Sequence, residues 1–298
     1  MARTRRLKFT GDEAYYHIIS KTVGGEYYLE GAEKEKLFML IKRCSSLYFV
    51  KVIGFCIMSN HFHLLVKTVD NSEISDDEVT ARISDFYKIN ATDITEDRLQ
   101  RYREKLTDIS EYMKDIKVQF SRWYNKINDR RGYFWGDRFK SVLIEDGNAL
   151  LNCLAYIELN PVRAKICNRP EDYRWSSISC RLAVGIGSFL SFDGVEVSDI
   201  NEYIDFIYTA GREECFSSEG EALQQQTRGK IDDDGKVKLN LWKHSIRYFS
   251  DTLVIGSRSF IESSYKRFDL LLNKKDRKVH KLPLYGGMFS IRQIRLEG

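Results

Sequence analysis

Ser59-Asn60-His61-Phe62-His63-Leu64-Leu65-Val66-Lys67 carries two histidines one residue apart within an otherwise largely apolar run. A tight polar turn leads into a run in which successive side chains point to opposite faces, the pattern of a single β-strand. Phe62, Leu64 and Val66 fill one face and can pack on helices, while His61 and His63 share the other with Leu65 and Lys67. Two imidazoles therefore project side by side from a stiff element. Imidazole nitrogens ligate transition and related divalent ions, and a pair at fixed separation needs only one or two further ligands from elsewhere. The same pair also fits two half-exposed histidines bonded to neighbours or water, so a second element has to decide.

Residues 147–161 supply that element. Leu150, Leu151, Leu154 and Ile157 recur at helical spacing, and Pro161 disfavours helix beyond Asn160. On the flank of this apolar stripe Asn152, Tyr156 and Asn160 stand four residues apart, so the Tyr156 phenol and the Asn160 carboxamide can serve one site. Tyr124 and Asn128 have the same spacing, and spacing alone does not choose between the two tyrosines.

The pair His61-Phe62-His63 resembles the HUH motif of single-tyrosine endonucleases, and Tyr156-Ile157-Glu158-Leu159-Asn160-Pro161 resembles the tyrosine helix of the REP-associated tyrosine transposases. Supporting matches are Tyr16-His17-Ile18-Ile19-Ser20, Gly132-Tyr133-Phe134-Trp135-Gly136-Asp137-Arg138-Phe139-Lys140-Ser141, Asn160-Pro161-Val162-Arg163-Ala164 and Asp172-Tyr173-Arg174-Trp175-Ser176-Ser177, in the family's order over residues 10–180. The resemblance implies Tyr156 rather than Tyr124 as the nucleophile, and His61, His63 and Asn160 as holders of a divalent Mg or Mn ion. It also implies single-stranded DNA hairpins of repetitive extragenic palindromes as substrates, cut to a 5′-phosphotyrosine and a free 3′ hydroxyl. A homodimer is left open. The main alternative is a regulator that keeps the fold and binds DNA hairpins without cutting them. An RNA-binding relative of the same sandwich lacks support, because no aromatic RNP-like signature lies on the candidate strands. A separate metal hydrolase is disfavoured by the absence of H-E-x-x-H.

The flanking pattern predicts the fold. Residues 15–22 read as a strand carrying His17, which could face the metal but reads rather as structural; residues 31–48 read as an amphipathic helix, and 49–58 as a strand joined to the histidine strand in a hairpin. Strand, helix, strand, strand and further helix is the order of an α+β, ferredoxin-like sandwich, an antiparallel sheet with helices on one face. The resemblance implies the same fold. Residues 70–98 turn acidic and polar, like an insertion held away from DNA. Residues 98–126 read as largely helical.

Charge is informative by position rather than in total, since 47 Lys and Arg against 43 Asp and Glu leave only +4. Residues 114–141 hold eight Lys or Arg against three Asp, interleaved with Trp123, Tyr124, Tyr133, Phe134 and Trp135. Cations that track a backbone beside aromatic faces that stack on bases suit single-stranded nucleic acid. The DNA-binding candidates are Lys117, Arg122, Lys126, Arg130, Arg131, Arg138 and Lys140, with Arg3, Arg5 and Arg6 of a basic N-terminal arm. Six cysteines without C-x-x-C spacing, no signal-like start and no apolar run of membrane length predict a soluble, cytoplasmic protein, nucleoid-associated in a bacterium.

A boundary near Val184 separates residues 1–184, the candidate catalytic domain, from 185–298, a smaller, mostly helical region. Helical patterns at 239–249 and 259–272, a connection at 250–257 and a basic run (Lys274, Lys275, Arg277, Lys278, His280, Lys281) are compatible with a helical DNA-binding module. Deletion from about residue 185 is expected to leave a foldable catalytic unit.

Overall fold

The computed structural model describes residues 7, 9, 12–183, 189–209, 249–250, 252–268, 279–282 and 287–292. Arg3, Arg5, Arg6, Val184, the 239–248 helical pattern and the cations at 274–278 lie outside the described residues. The protein is α+β, with one seven-stranded mixed sheet at its centre.

The sheet is built around β3 (His61–Thr68), the histidine strand. It pairs antiparallel with β1 (Ala14–Lys21) on one side and β2 (Val50–Ile57) on the other, with α1 (Gly31–Leu47) crossing between β1 and β2. Beyond β1 comes β4 (Lys140–Ile144), also antiparallel. The order β2-β3-β1-β4 is that of the ferredoxin-like sandwich read from the sequence. Phe62, Leu64 and Val66 join a core with Leu37, Leu40, Ile41 and Leu47 of α1, as their alternation requires. A reciprocal cap starts α1, in which the Glu30 and Glu33 side chains each accept from the other residue's backbone N–H.

The same face carries α2 (Asp76–Tyr87), α3 (Glu96–Thr107) and α4 (Ile109–Ile127). The acidic segment is therefore folded helix. Asp76, Asp77 and Glu78 fill the first turn of α2, where carboxylates meet the positive end of the helix dipole, and Val79 and Ile83 seat it in the core. It lies on the face opposite the histidines.

The histidine face is covered as well, which the one-sided sandwich did not foresee. Here α5 (Asn148–Glu158) packs on β2, β3 and β4, and every residue from Ala149 to Glu158 is buried. A helix apolar nearly all round has to lie inside. Gly54 of β2 lets it approach closely: a Cβ at this position would stand 2.2 Å from Leu154 Cδ1. After Leu159 a new turn, α6 (Asn160–Arg163), begins with Pro161 in its first turn, where the missing N–H costs nothing. Residues of α7 (Ser177–Leu182) and α8 (Ile200–Thr209) complete this side; Tyr203 Oη donates to the buried Glu158 carboxylate at 2.5 Å.

The connection read at 250–257 is instead a strand, β5 (Thr252–Gly256). It pairs parallel with β4 through Leu143–Val254 and Ile144–Ile255. A run of Leu253, Val254 and Ile255 suits a strand buried on both faces better than a helix link. It is followed by α9 (Arg258–Phe268), the observed form of the helix read at 259–272, and by the hairpin strands β6 (Val279–Lys281) and β7 (Phe289–Arg292). The described C-terminal residues thus continue the sheet from β4 through β5, β7 and β6. Among the described residues no helix is long and apolar enough to cross a membrane.

This continuity changes what truncation should do. A chain ended at Val184 loses Val254 and Ile255, both fully buried and each worth about 1.5–3 kcal/mol, and uncovers the edge of β4. Its melting temperature is expected to fall steeply, with aggregation at the bared edge. A soluble truncation that melts like the full chain would show that residues 1–184 fold alone.

Candidate active site

Strand register brings the first histidine of the chain to the other two. Ile19 lies opposite His63 and Lys21 opposite His61, so His17, two residues before Ile19, projects from the same face beside them. The His17 and His63 rings stack with centroids 5.0 Å apart and an 18° interplanar angle, and His17 Nε2 lies 2.8 Å from His63 Nδ1. His17 Nδ1 lies 2.9 Å from the Phe249 carbonyl oxygen. The His61 and His63 ring centroids are also 5.0 Å apart, and His61 Nδ1 lies 2.6 Å from Asn60 Oδ1.

Tyr156 comes to this cluster from α5. Its ring stands 5.9 Å from both His17 and His63, edge to face in each case, and 4.9 Å from Phe249. The Arg163 guanidinium sits 4.3 Å over the Tyr156 ring, and its Nη2 donates to the Tyr156 carbonyl at 2.6 Å. The rival tyrosine goes elsewhere: Tyr124 is packed on α4 with Tyr28, Phe120 and Phe134, in the core of the opposite face. Asn160 Nδ2 donates to the carbonyls of Tyr156 and Ile157, at 3.3 and 3.1 Å, so the carboxamide's donor end is fixed on the helix terminus. The structure thus joins His61, His63 and Tyr156, with Asn160 four residues along the chain from the tyrosine.

Burial governs the electrostatics. Desolvation pushes His17 down to about 3 and His61 down to about 4 from an ordinary 6.5, aided by Arg163 and Lys21 respectively; it also lowers His63, with His61 the next cause. All three rings are neutral at pH 7, the form that ligates metals. Each Nδ1 is engaged, so Nε2 is the nitrogen that His61 and His63 can offer. Among the described residues no three His, Cys, Asp or Glu side chains form a metal-holding group; His17 spends its Nε2 on His63. Two neutral imidazole nitrogens on one strand fit part of a donor set for a divalent ion, whose remaining ligands would come from elsewhere.

These shifts predict the acid limit of the metal-free fold. Since the folded histidines titrate below the unfolded value of 6.5, stability is complete above that pH. It falls as pH drops toward 4 and then 3, by about 1.4 kcal/mol per pH unit for each histidine that only the unfolded chain protonates. Melting temperature measured in chelator from pH 7.5 to 4.5 checks this, and a flat profile would contradict it.

The basic, aromatic segment separates into core and surface. Phe134 and Trp135 are buried against Phe120 and Phe62, Trp123 is partly buried, and only Tyr133 of the five aromatics stands out, at 88% exposure. Tyr133 lines a groove of about 830 Å³ with Lys117, Val118, Arg122 and Arg138. The groove adjoins the histidine edge, because Gly136 N donates to the Lys21 carbonyl and Trp135 bridges Thr22. Arg122, Lys126, Arg131, Arg138 and Lys140 are exposed. Lys117 is half-buried and donates to the Asp137 carbonyl, and Arg130 stacks 4.8 Å from the Tyr28 ring.

Three residues beside the histidines carry no assignment in the sequence, and for a fourth, His17, the sequence leaves a metal-facing and a structural place open, because strand register is invisible in one strand. Asn60 and Arg163 lie inside motifs already quoted, and Arg163, seven residues from Tyr156, was at helical spacing. Phe249 had no local signal.

With this geometry in place, residues 11–83 match the family model of IS200-like transposases, a span that contains His17, His61 and His63. Among solved structures, one match is a REP-associated tyrosine transposase bound to a REP hairpin, 16% identical, covering 66% of this chain and 98% of that chain with a TM-score of 0.44. No curated protein matches the chain.

Proposed function

We propose that this chain, with its IS200-like transposase region at residues 11–83, is a metal-dependent single-stranded DNA endonuclease and strand transferase acting on REP-type hairpins. The observation that carries the reading is the packing of Tyr156 against His63 and His17 on the face that also bears His61. A phenol packed on His63, whose strand neighbour His61 offers a second neutral imidazole, is a nucleophile next to a place for a cation.

In this reading the Tyr156 phenol oxygen attacks a backbone phosphorus. The tyrosine O–P bond forms and the P–O3′ bond breaks; the phenol loses one proton and the departing 3′ oxygen gains one. The products are a 5′-phosphotyrosine and a free 3′ hydroxyl, and attack on the adduct by another 3′ hydroxyl rejoins the strand without ATP. His61 and His63 through Nε2, and Asn160 through Oδ1, would hold Mg or Mn. Bound there, the ion polarises a phosphate oxygen and relieves charge on the leaving oxygen. Arg163, over the Tyr156 ring, adds a fixed cation that can pair with the phosphate. Tyr156 is 3% exposed, so the substrate must displace what covers the phenol. The protein would work in the cytoplasm, on DNA of the nucleoid.

The groove beside the histidine edge is the candidate path of the strand, with Arg122, Arg138 and Lys140 facing phosphates and Tyr133 stacking on a base. Tyr133→Ala is expected to weaken single-strand binding by about 1–3 kcal/mol, since one stacking platform is lost and no core packing is disturbed. Fluorescence anisotropy with a labelled hairpin reads this, and unchanged affinity would place the strand elsewhere.

The burial of Tyr156 favours one other reading, a regulator that binds hairpins without cutting. Incubation with labelled single-stranded hairpin DNA and Mg or Mn separates the two. A covalent, protease-sensitive adduct is expected, whereas tight binding with no adduct at any metal concentration would leave the regulator.

A further inference from the structure

Two hydrogen-bond chains behind the histidine pair have fixed polarity. The first starts at the Phe249 carbonyl, which can only accept, so the His17 Nδ1 at 2.9 Å carries a proton. His17 is fully buried and packed on the His63 and Tyr156 rings, where a second proton and its positive charge would be costly. A neutral His17 protonated at Nδ1 has a lone pair at Nε2. That atom lies 2.8 Å from His63 Nδ1, which must then be the donor, and His63 is left with its lone pair at Nε2.

The second chain runs the same way. Asn60 Nδ2 donates to the Gly25 carbonyl at 3.0 Å, which orients the amide. The oxygen of that amide, Oδ1, therefore faces His61 Nδ1 at 2.6 Å, and His61 must donate. Asn60 is itself pinned at the turn, because its carbonyl accepts from both the Thr22 N–H and the Thr22 hydroxyl, at 2.9 and 3.0 Å. Both chains end on backbone and leave an Nε2 electron pair.

We propose that His17 and Asn60 are positioning residues that lock His63 and His61 as Nδ1–H tautomers, presenting Nε2 of each ring as the electron-pair donor. Neither residue touches substrate or ion; each acts through the ring it holds. The consequence for metal affinity rests on reading His61 and His63 as ligands, whereas the tautomers themselves do not. Outer partners of this kind change metal affinity by about 10–100-fold, because a ring held in the wrong tautomer presents N–H where a lone pair is needed.

The test uses full-length, metal-free protein labelled with 15N-histidine, whose five histidines give a sparse long-range 1H–15N spectrum. At pH 7.5 the expected pattern is Nδ1–H with bare Nε2 for His17, His61 and His63. His63 found protonated at Nε2 would overturn the proposal. His17→Gln keeps a side-chain acceptor for His63, and His17→Leu removes it. The Leu variant should shift His63 toward the Nε2–H form and weaken Mn²⁺ binding, read by electron paramagnetic resonance, by about 10–100-fold, while Gln restores both. If the Leu variant fails to fold, the wild-type spectrum and the Gln variant still decide. Locked tautomers without any Mn²⁺ affinity would uphold the relay and sink the ligand reading. Mn²⁺ affinity with the wrong tautomer would do the reverse.

Discussion

Tyr156→Phe is expected to form no covalent DNA adduct while binding hairpin DNA as well as the unsubstituted protein. Only an oxygen is removed. The ring keeps its contacts with His17, His63, Phe249 and Arg163, so the fold should change in stability by no more than about 1 kcal/mol. On the proposed mechanism the attacking oxygen is lost with no partial route left, and cleavage should drop by at least about three orders of magnitude. Tyr124→Phe serves as the control. Its ring belongs to the opposite core, so cleavage should persist; loss there with cleavage retained in Tyr156→Phe would move the chemistry to α4.

His61→Ala is the second large effect. The half-buried ring can be removed at little cost to the fold, yet cleavage should fall by more than about 100-fold, because even partners behind a ligand cost about 10–100-fold. Chelation of the unsubstituted protein should match it. His63→Ala is expected to abolish cleavage as well, but with a loss of about 2–4 kcal/mol of stability, since it opens a cavity and strips His17 Nε2 of its partner. Comparing the two variants separates the chemical role from the structural one. Cleavage undiminished in EDTA would mean that neither ring serves a metal.

Much of this site is legible in the chain because its parts are local. The two faces of β3 follow from alternation, and the Tyr156 helix follows from a stripe of leucines. The choice of Tyr156 over Tyr124 came from the resemblance of a six-residue context, since their spacing is identical. What was hidden depends on pairing across long separations. The place of His17 beside His63 is a matter of register between β1 and β3. The parallel pairing of β5 with β4 unites segments more than a hundred residues apart, and a short β-branched run between two helical patterns reads locally as a link. Composition around residues 114–141 signalled a basic, aromatic surface, but whether Tyr133 or Trp135 faces outward depends on which ring fits against Phe62 and Phe120.

Attack on DNA by Tyr156 beside the histidine pair can be read out by peptide mapping of the trapped adduct. The protein is incubated with single-stranded hairpin DNA and Mn²⁺, denatured and digested with protease, and the nucleotide-bearing peptide is sequenced by mass spectrometry. A 5′-linked nucleotide is expected on the peptide that contains Tyr156. A nucleotide on Tyr124 or any other residue, or stable hairpin binding with no nucleotide on any peptide, would contradict it.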